Sequence, residues 1–263
     1  MNGEGVRAVH RGKVWLVGAG PGDPELLTVR AYKLIADARV IAYDELVSPA
    51  VLALAPADAE RIPVGRRASG CQHHEERIHP LVVVRALEGN EVVRLKGGDP
   101  LVFGRGGEEA QELAAARIPF EIVPGISAAL AAAARTGIPL THRDCASSVT
   151  LATAHAAREG EVNLDTVPAA GTVVFYMGLA RIDVTCAALI AGGRSAETPA
   201  AVVSKATLPD ERVVFGTLAD IGARVRDAHL EAPALLVVGD VVAWRVESPA
   251  ESVGNVGDRT ATG

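Results

Sequence analysis

Aromatic residues are scarce: Phe, Tyr and Trp together make up 3% of the 263 positions. Ala, Val, Leu and Ile must therefore fill any core, and with 49% of residues hydrophobic there is ample material for buried sheets. Cysteine is sparse too. Cys71, Cys145 and Cys186 form an odd, widely spaced set, which excludes a disulfide scaffold and fits free thiols in a reducing compartment. No run of roughly 18 apolar residues is free of charge, so a membrane-spanning helix is not expected. The opening MNGEGVRAVHRG has no apolar centre, unlike a secretory signal. These absences predict a cytoplasmic protein. Positive charge is also lacking: the formal net charge is -6, which argues against nucleic acid, since phosphate binding needs a positive face.

The charge is uneven, however. Between Arg61 and Arg105 there are eight Lys and Arg against five Asp and Glu, with His73, His74 and His79 among them. Such a stretch suits a small polyanion, although ordinary solvated surface would read the same way.

Short apolar runs alternate with helical spacing. KVWLV (Lys13 to Val17) is a buried-strand run that meets GAGPGD (Gly18 to Asp23). Thr28 caps a helix with Val29, Tyr32, Leu34 and Ile35 at helical spacing. A strand over Arg39 to Tyr43 ends at Asp44, and Ser48-Pro49 reads as cap and first helical position. Further strands are expected at ERIPV, Glu91 to Leu95 and Phe120 to Val123. Helices are expected over His74 to Glu88, Gly107 to Ala116 and Ile126 to Ala134. Alternation of this kind implies an α/β fold with a parallel-dominated sheet. Its Gly-rich loops, Gly18-Ala19-Gly20, Gly97-Gly98 and Pro124-Gly125, fall at strand ends, where open α/β sheets bind ligands.

The spacing predicts a first α/β lobe over 13–134 and a connector over 135–143. A second lobe over 144–246 contributes strands at Val149 to Ala154, Thr172 to Met177, Ala200 to Ser204, Val213 to Thr217 and Ala234 to Val238. Helices there are expected over Ala180 to Ala191 and Leu218 to Ala228. Residues 247–263 turn polar and Gly-rich and read as a disordered tail.

GAGPGD invites a dinucleotide reading, but Asp23 stands where the third glycine should be, and Pro21 and Asp23 are ill-suited to a diphosphate cradle. VVRLKGGDPLVFGRGGEE is more informative. A strand ends in glycines that permit close backbone approach, Asp99 can accept from a hydroxyl or amine, and Arg105 stands beside Glu108 at a helix start. Cys71 with His73 and His74 does not match a zinc spacing, and no metal is expected. His142, Asp144 and Ser147 are too close in sequence for a hydrolase triad.

GAGPGD, YD-x-LVS, VG-x-R, VVRLKGGDP-x-x-FGRGGEE, VPGIS-A, GIPLTHRD and VVFYMG occur in this order from about Lys13 to Val242. The chain resembles the tetrapyrrole methylase family, and within it the uroporphyrinogen-III C-methyltransferases. The resemblance implies a two-lobed α/β fold, mostly parallel in the first lobe and mixed in the second, usually a homodimer. It implies S-adenosylmethionine bound between the lobes at Pro21, Gly97, Gly98, Asp99, Val102, Ser127, Ala128, Met177 and Ala206. A tetrapyrrole bearing carboxylates would lie against Arg105, Glu108 and Arg143. Asp44 is the family's candidate base, and Arg66 and Arg105 complete the catalytic set. The implied reaction is two methylations of uroporphyrinogen III to precorrin-2, on the route to sirohaem and cobalamin. So few residues precede Lys13 that the dehydrogenase-chelatase domain of longer relatives is not expected in this chain.

Several positions depart from the family pattern. Glu45 replaces an Arg, Cys145 a Tyr, Ser127 a Thr, Ala206 a Gly, and Thr153-Ala154-His155 a TGH. Arg66 replaces a Lys, and its guanidinium stays protonated, so a proton-donor role does not pass to it simply. Most departures fall on the acceptor side. They keep open a methylase of a later precorrin or other acceptor, and a tetrapyrrole-binding protein without turnover.

Overall fold

The computed structural model describes residues 11–65, 78–154 and 167–246. Arg66, Cys71, His73, His74, His155 and the tail over 247–263 lie outside the described residues.

The first sheet is wholly parallel, in the order β3-β2-β4-β1-β5. Its strands are β1 (Val14–Gly18), β2 (Val40–Tyr43), β3 (Glu60–Pro63), β4 (Val92–Lys96) and β5 (Phe120–Val123). β4 is buried at all five positions. Helices on both faces explain why β1 and β2 read as near-continuous apolar runs and not as alternations. On one face Val17, Ile41, Val93, Leu95 and Val123 pack with α1 (Val29–Ala36) and α2 (Pro49–Leu52). On the other, Val14, Leu16, Val40, Ala42 and Val92 pack with α3 (Pro80–Leu87) and α4 (Gly106–Ala115). β1 and β4 are neighbours whose following helices lie on opposite faces, so their carboxyl ends flank a crevice.

The helix starts follow the sequence signals. Thr28 Oγ1 accepts from Ala31 N–H at 3.1 Å. Ser48 Oγ accepts from Val51 N–H at 3.2 Å and donates to the Gly22 carbonyl at 2.6 Å, so one cap also ties α2 to the GAGPGD loop. Only α3, from Pro80, is seen of the helix expected over 74–88.

The second sheet is mixed, in the order β6-β7-β10-β8-β9. β6 (Val149–Thr153) runs parallel to β7 (Thr172–Tyr176). β10 (Ala234–Val238) is antiparallel to β7 and to β8 (Pro199–Ser204), and β9 (Arg212–Thr217) is antiparallel to β8. α6 (Ile182–Ala191) and α7 (Ile221–Asp227) cover one face.

The other face is covered by α5 (Ala128–Thr136), whose Ala129 and Ala132 pack with Val174, Ala201, Val203 and Val237. The sequence reading puts this helix with the first lobe, yet it lies on the second sheet. Its small side chains let the backbone sit close to the strands. The chain thus crosses between sheets just after β5, and Gly137, at φ +65°, closes the helix.

Cys145 and Cys186 are free thiols. Cys186 is 4% exposed in the α6 core. Burial, with a smaller contribution from Asp183, pushes its thiol up to about 11. A raised thiol stays protonated and unreactive at neutral pH. Iodoacetamide at pH 8 is expected to leave Cys186 unmodified in the native protein and to label it in urea, read by peptide mass mapping. Native labelling at the unfolded rate would contradict the burial described.

Candidate active site

Three loops meet at the carboxyl edge of the first sheet. Gly20 and Gly98 pair as a backbone bridge, Gly98 N–H donating at 2.7 Å and Gly20 N–H at 3.2 Å. A Cβ on Gly125 would lie 2.3 Å from the Gly98 carbonyl oxygen, and one on Gly18 would lie 2.5 Å from Gly125 N. Backbone therefore packs on backbone at this junction, and only glycine fits. Asp99 locks it: Oδ1 accepts from Leu101 N–H at 2.8 Å and Oδ2 from Gly125 N–H at 3.0 Å. Sequence reading assigns Asp99 to a ligand. Here its carboxylate first joins the β4 loop to the β5 loop, and each oxygen keeps a second acceptor position.

The second lobe faces this junction. Asp23 N–H donates to Thr207 Oγ1 at 3.2 Å, and Gly22 lies against Leu208, bringing GAGPGD onto the β8–β9 turn. That turn carries Ala206 and is held by Glu211, which accepts from Thr207 N–H at 2.6 Å and from Arg135 of α5 at 3.1 Å. Tyr176, at the end of β7, gathers the rest. Its hydroxyl bonds Ser127 Oγ and accepts from Ala129 N–H at 3.2 Å, while its ring lies 4.7 Å from that of Phe103. The start of α5 is thus capped by a tyrosine of the second sheet, the one that this helix covers.

Met177 follows at φ +56° and is half exposed. Five of the seven described non-glycine residues with positive φ line these loops: Phe103, Arg105, Met177, Lys205 and Thr207. Backbone held in this region marks functional sites more often than ordinary turns. An open groove of ≈ 380 Å³ runs between Leu101, Phe103, Arg105, Glu108 and Met177. A larger groove of ≈ 580 Å³, between Leu130, Pro139, Leu140, Trp244 and Val246, is lined by the GIPLTH part of the connector motif but by none of the expected cofactor or acceptor contacts.

Gly98 abuts Ser127 and Ala128, Met177 lines the groove with Leu101 and Phe103, and Pro21, Gly97, Asp99, Val102 and Ala206 lie in the loops that these contacts join. Arg105 caps the start of α4 with its side chain exposed, 3.7 Å from Glu108. Arg143 is exposed in the connector and, among the described residues, pairs with neither Asp144 nor Glu108; Asp144 instead lies 3.7 Å from His142.

Asp44 does not serve as a helix cap. It sits over a buried ionic cluster that the sequence reading did not find. Arg94 Nη2 donates to Asp44 Oδ1 at 2.5 Å and to Glu109 Oε1 at 2.8 Å. Lys96 Nζ donates to Glu109 Oε1 at 2.8 Å and lies 3.6 Å from Asp44 Oδ2. The Arg94, Lys96 and Glu109 side chains are 5%, 2% and 5% exposed, whereas Asp44 is 30% exposed, so the cluster reaches solvent through Asp44. Burial opposes the charge on Arg94, but Asp44 and Glu109 outweigh it and raise the guanidinium above its usual range. The signal for this cluster was a polar residue at alternate positions of an otherwise apolar strand, Val92-Val93-Arg94-Leu95-Lys96.

A parallel sheet and a mixed sheet, joined at glycine loops, make a two-lobed α/β protein whose loops from both sheets surround a candidate small-molecule site. The chain belongs to the tetrapyrrole (corrin/porphyrin) methylases, matched over residues 13–222. The siroheme synthase of Pseudomonas fluorescens (strain Pf0-1) is 51% identical over 245 residues, covering 92% of this chain and 53% of that protein. The chain thus spans about half the length of the curated relatives it matches. Uroporphyrin-III C-methyl transferase from Thermus thermophilus, solved with S-adenyl homocysteine, is 41% identical with a TM-score of 0.76, covering 89% of this chain and 100% of that one. Cobalt precorrin-4 methyltransferase, a cobalamin biosynthetic enzyme, is 32% identical with a TM-score of 0.77, covering 88% of this chain and 95% of that one.

The glycine junction predicts opposite outcomes for two alanine substitutions. Gly125→Ala is expected to lower stability in urea denaturation by about 1–3 kcal/mol through overpacking. Gly107→Ala, with nothing within 4 Å of the new methyl, is expected to raise it by up to about 1 kcal/mol through helix propensity. Equal effects would mean that the backbone contact at Gly125 is not tight.

Proposed function

We propose that the chain binds S-adenosylmethionine in the interlobe cleft and methylates uroporphyrinogen III twice, giving precorrin-2 for sirohaem and cobalamin synthesis. The observation that carries this reading is the meeting of the GAGPGD, GGDP and PGISA loops with Tyr176-Met177 and the Ala206 turn. The residues present fit the cofactor. Gly97 and Gly98 place no side chain over the end of β4, Asp99 keeps free acceptor positions for a hydroxyl or ammonium, and Leu101 and Met177 offer exposed apolar contact. When bound, S-adenosylmethionine supplies an electrophilic methyl group on a sulfonium.

Pro21, Gly97, Gly98, Asp99, Val102, Ser127, Ala128, Met177 and Ala206 are the proposed cofactor contacts. Arg105 and Arg143, both exposed, hold acceptor carboxylates, for which a planar guanidinium is suited. Glu108 bounds the same groove. Asp44, at the edge of β2, takes up the proton released by the methylated ring. Arg66, outside the described residues, is proposed as a further acceptor contact. The main contribution of the site is alignment of acceptor carbon and methyl group. The free Cys145 and Cys186 fit a reducing cytoplasm, and the family resemblance supports a homodimer. The resemblance also supports reading the described division of sheets as the two lobes of that dimer's subunit.

A second reading, a methylase of a later precorrin, is favoured by Glu45. This exposed residue follows Asp44, with its backbone and Cβ beside Gly65, and it puts a carboxylate where a polycarboxylate acceptor would prefer a cation.

Anaerobic incubation with S-adenosylmethionine and enzymatically generated uroporphyrinogen III, read by mass spectrometry, is expected to show a gain of two methyl groups. Arg105→Leu is expected to lower kcat/KM for the acceptor by about 10-fold to 100-fold, the loss of one strong charge-assisted contact, with cofactor binding unchanged in calorimetry. Cofactor binding without product from uroporphyrinogen III would overturn the substrate and favour the second reading.

A further inference from the structure

We propose that Glu109 is a positioning residue of the reaction site, holding Arg94 and Lys96 as a fixed cationic seat for the Asp44 carboxylate. The inference rests on the role given to Asp44 above.

Glu109 Oε1 accepts from both cations at 2.8 Å, and the same Arg94 Nη2 continues to Asp44 at 2.5 Å. The second nitrogen of the fork, Nη1, donates to the Leu95 carbonyl at 2.8 Å, so the guanidinium plane is pinned to its own strand. The neighbours on this face of the sheet, Val14, Leu16, Val40, Ala42 and Val92, are apolar and buried. Apolar side chains would have packed there as well. Burying two cations and a carboxylate costs desolvation that an ion pair barely recovers, so stability does not explain the cluster. Satisfaction is also incomplete: Glu109 Oε2 and Arg94 Nε are buried without a hydrogen-bond partner among the described residues. What the cluster does achieve is geometric. Asp44 follows a short strand at the solvent edge, and its carboxylate is set from beneath by two rigidly held cations.

Glu109 also belongs to α4, where its N–H donates to the Arg105 carbonyl at 3.1 Å. Arg105 is the proposed acceptor contact at the start of that helix. Glu109 thus links Asp44, just after β2, through its carboxylate and Arg94 to the helix that begins directly after Arg105. A shift of either would misalign the acceptor ring.

The test uses Glu109→Gln, which keeps shape and removes charge, and Arg94→Lys, which keeps charge and removes the fork. Each is made in the parent and in an Asp44→Asn background, with folding followed by circular dichroism. Methyl transfer to uroporphyrinogen III is then read in single and multiple turnover. In the parent background each variant is expected to lower kcat on the order of 10²-fold, as a small misplacement does, with KM for S-adenosylmethionine within about 2-fold. In the Asp44→Asn background the further loss is expected to be under about 2-fold, because residues acting through one group are non-additive. Unchanged kcat, equal losses in both backgrounds, or an Asp44→Asn protein of full activity would each overturn the proposal. If one variant fails to fold, the other decides. A parent protein that makes no methylated product would instead refute the function proposed above, and the role of Glu109 with it. An active parent with an indifferent Glu109→Gln refutes that role alone.

Discussion

Gly18, Gly98 and Gly125 meet with no side chain between them, and the rest of the cleft is built on that contact. Three strands of a parallel sheet end at one edge, and their outgoing backbones must turn within a few ångströms of each other. Any Cβ at Gly18 or Gly125 would fall inside the radius of a neighbouring backbone atom. The contact is then locked twice, by the Gly20–Gly98 backbone pair and by the two backbone N–H groups that Asp99 accepts. The direction in which the β5 loop leaves is set by this junction. Two residues beyond Gly125 the chain reaches Ser127, bonds Tyr176 of the opposite sheet, and begins the helix that covers that sheet. Loop packing on one sheet thereby sets the seat of the other.

The strand and helix pattern of both lobes was legible because parallel strands covered on both faces carry apolar runs, and because Thr28 and Ser48 are strong caps. The glycine clusters were legible as a site, but their physical role was not. From sequence a glycine at a strand end reads as room for a ligand, whereas Gly18 and Gly125 make room for each other. α5 was assigned to the wrong partner for a similar reason. An alanine-rich helix following β5 carries no mark of which sheet it will cover, since Ala129 and Ala132 fit either. The cap that decides it, Tyr176, lies 49 residues away.

The ionic cluster was missed because sequence reading treats Arg and Lys in a charged window as surface. Arg94 and Lys96 contributed to the local positive excess that suggested a polyanion, yet both are buried and neutralised by Glu109 and Asp44. Among the described residues, Arg105 at the start of α4 and Arg143 in the connector are basic and exposed. A positive stretch in sequence and a positive face in space were different objects here, and the alternate-position spacing of Arg94 and Lys96 on a buried strand was the cue that separates them.

The two sides of the cleft are made of different material. One side is backbone: glycine turns, left-handed positions at Met177, Lys205 and Thr207, and a serine held by a tyrosine hydroxyl. The other is side chain: Arg105 and Glu45, both exposed, and the half-buried Glu108, carried on a helix start or a strand-end turn. Backbone geometry survives substitution as long as the glycines and the strand register remain. Exposed charged side chains exchange with little effect on folding. The cobalt precorrin-4 enzyme matches this fold as well as the uroporphyrin-III enzyme does, with TM-scores of 0.77 and 0.76, despite lower identity. A scaffold divided in this way can keep one methyl donor while its acceptor changes. Fold similarity therefore reports on the shared scaffold, and the choice of acceptor is proposed to rest on charged residues such as Glu45 and Arg105, which follow β2 and β4.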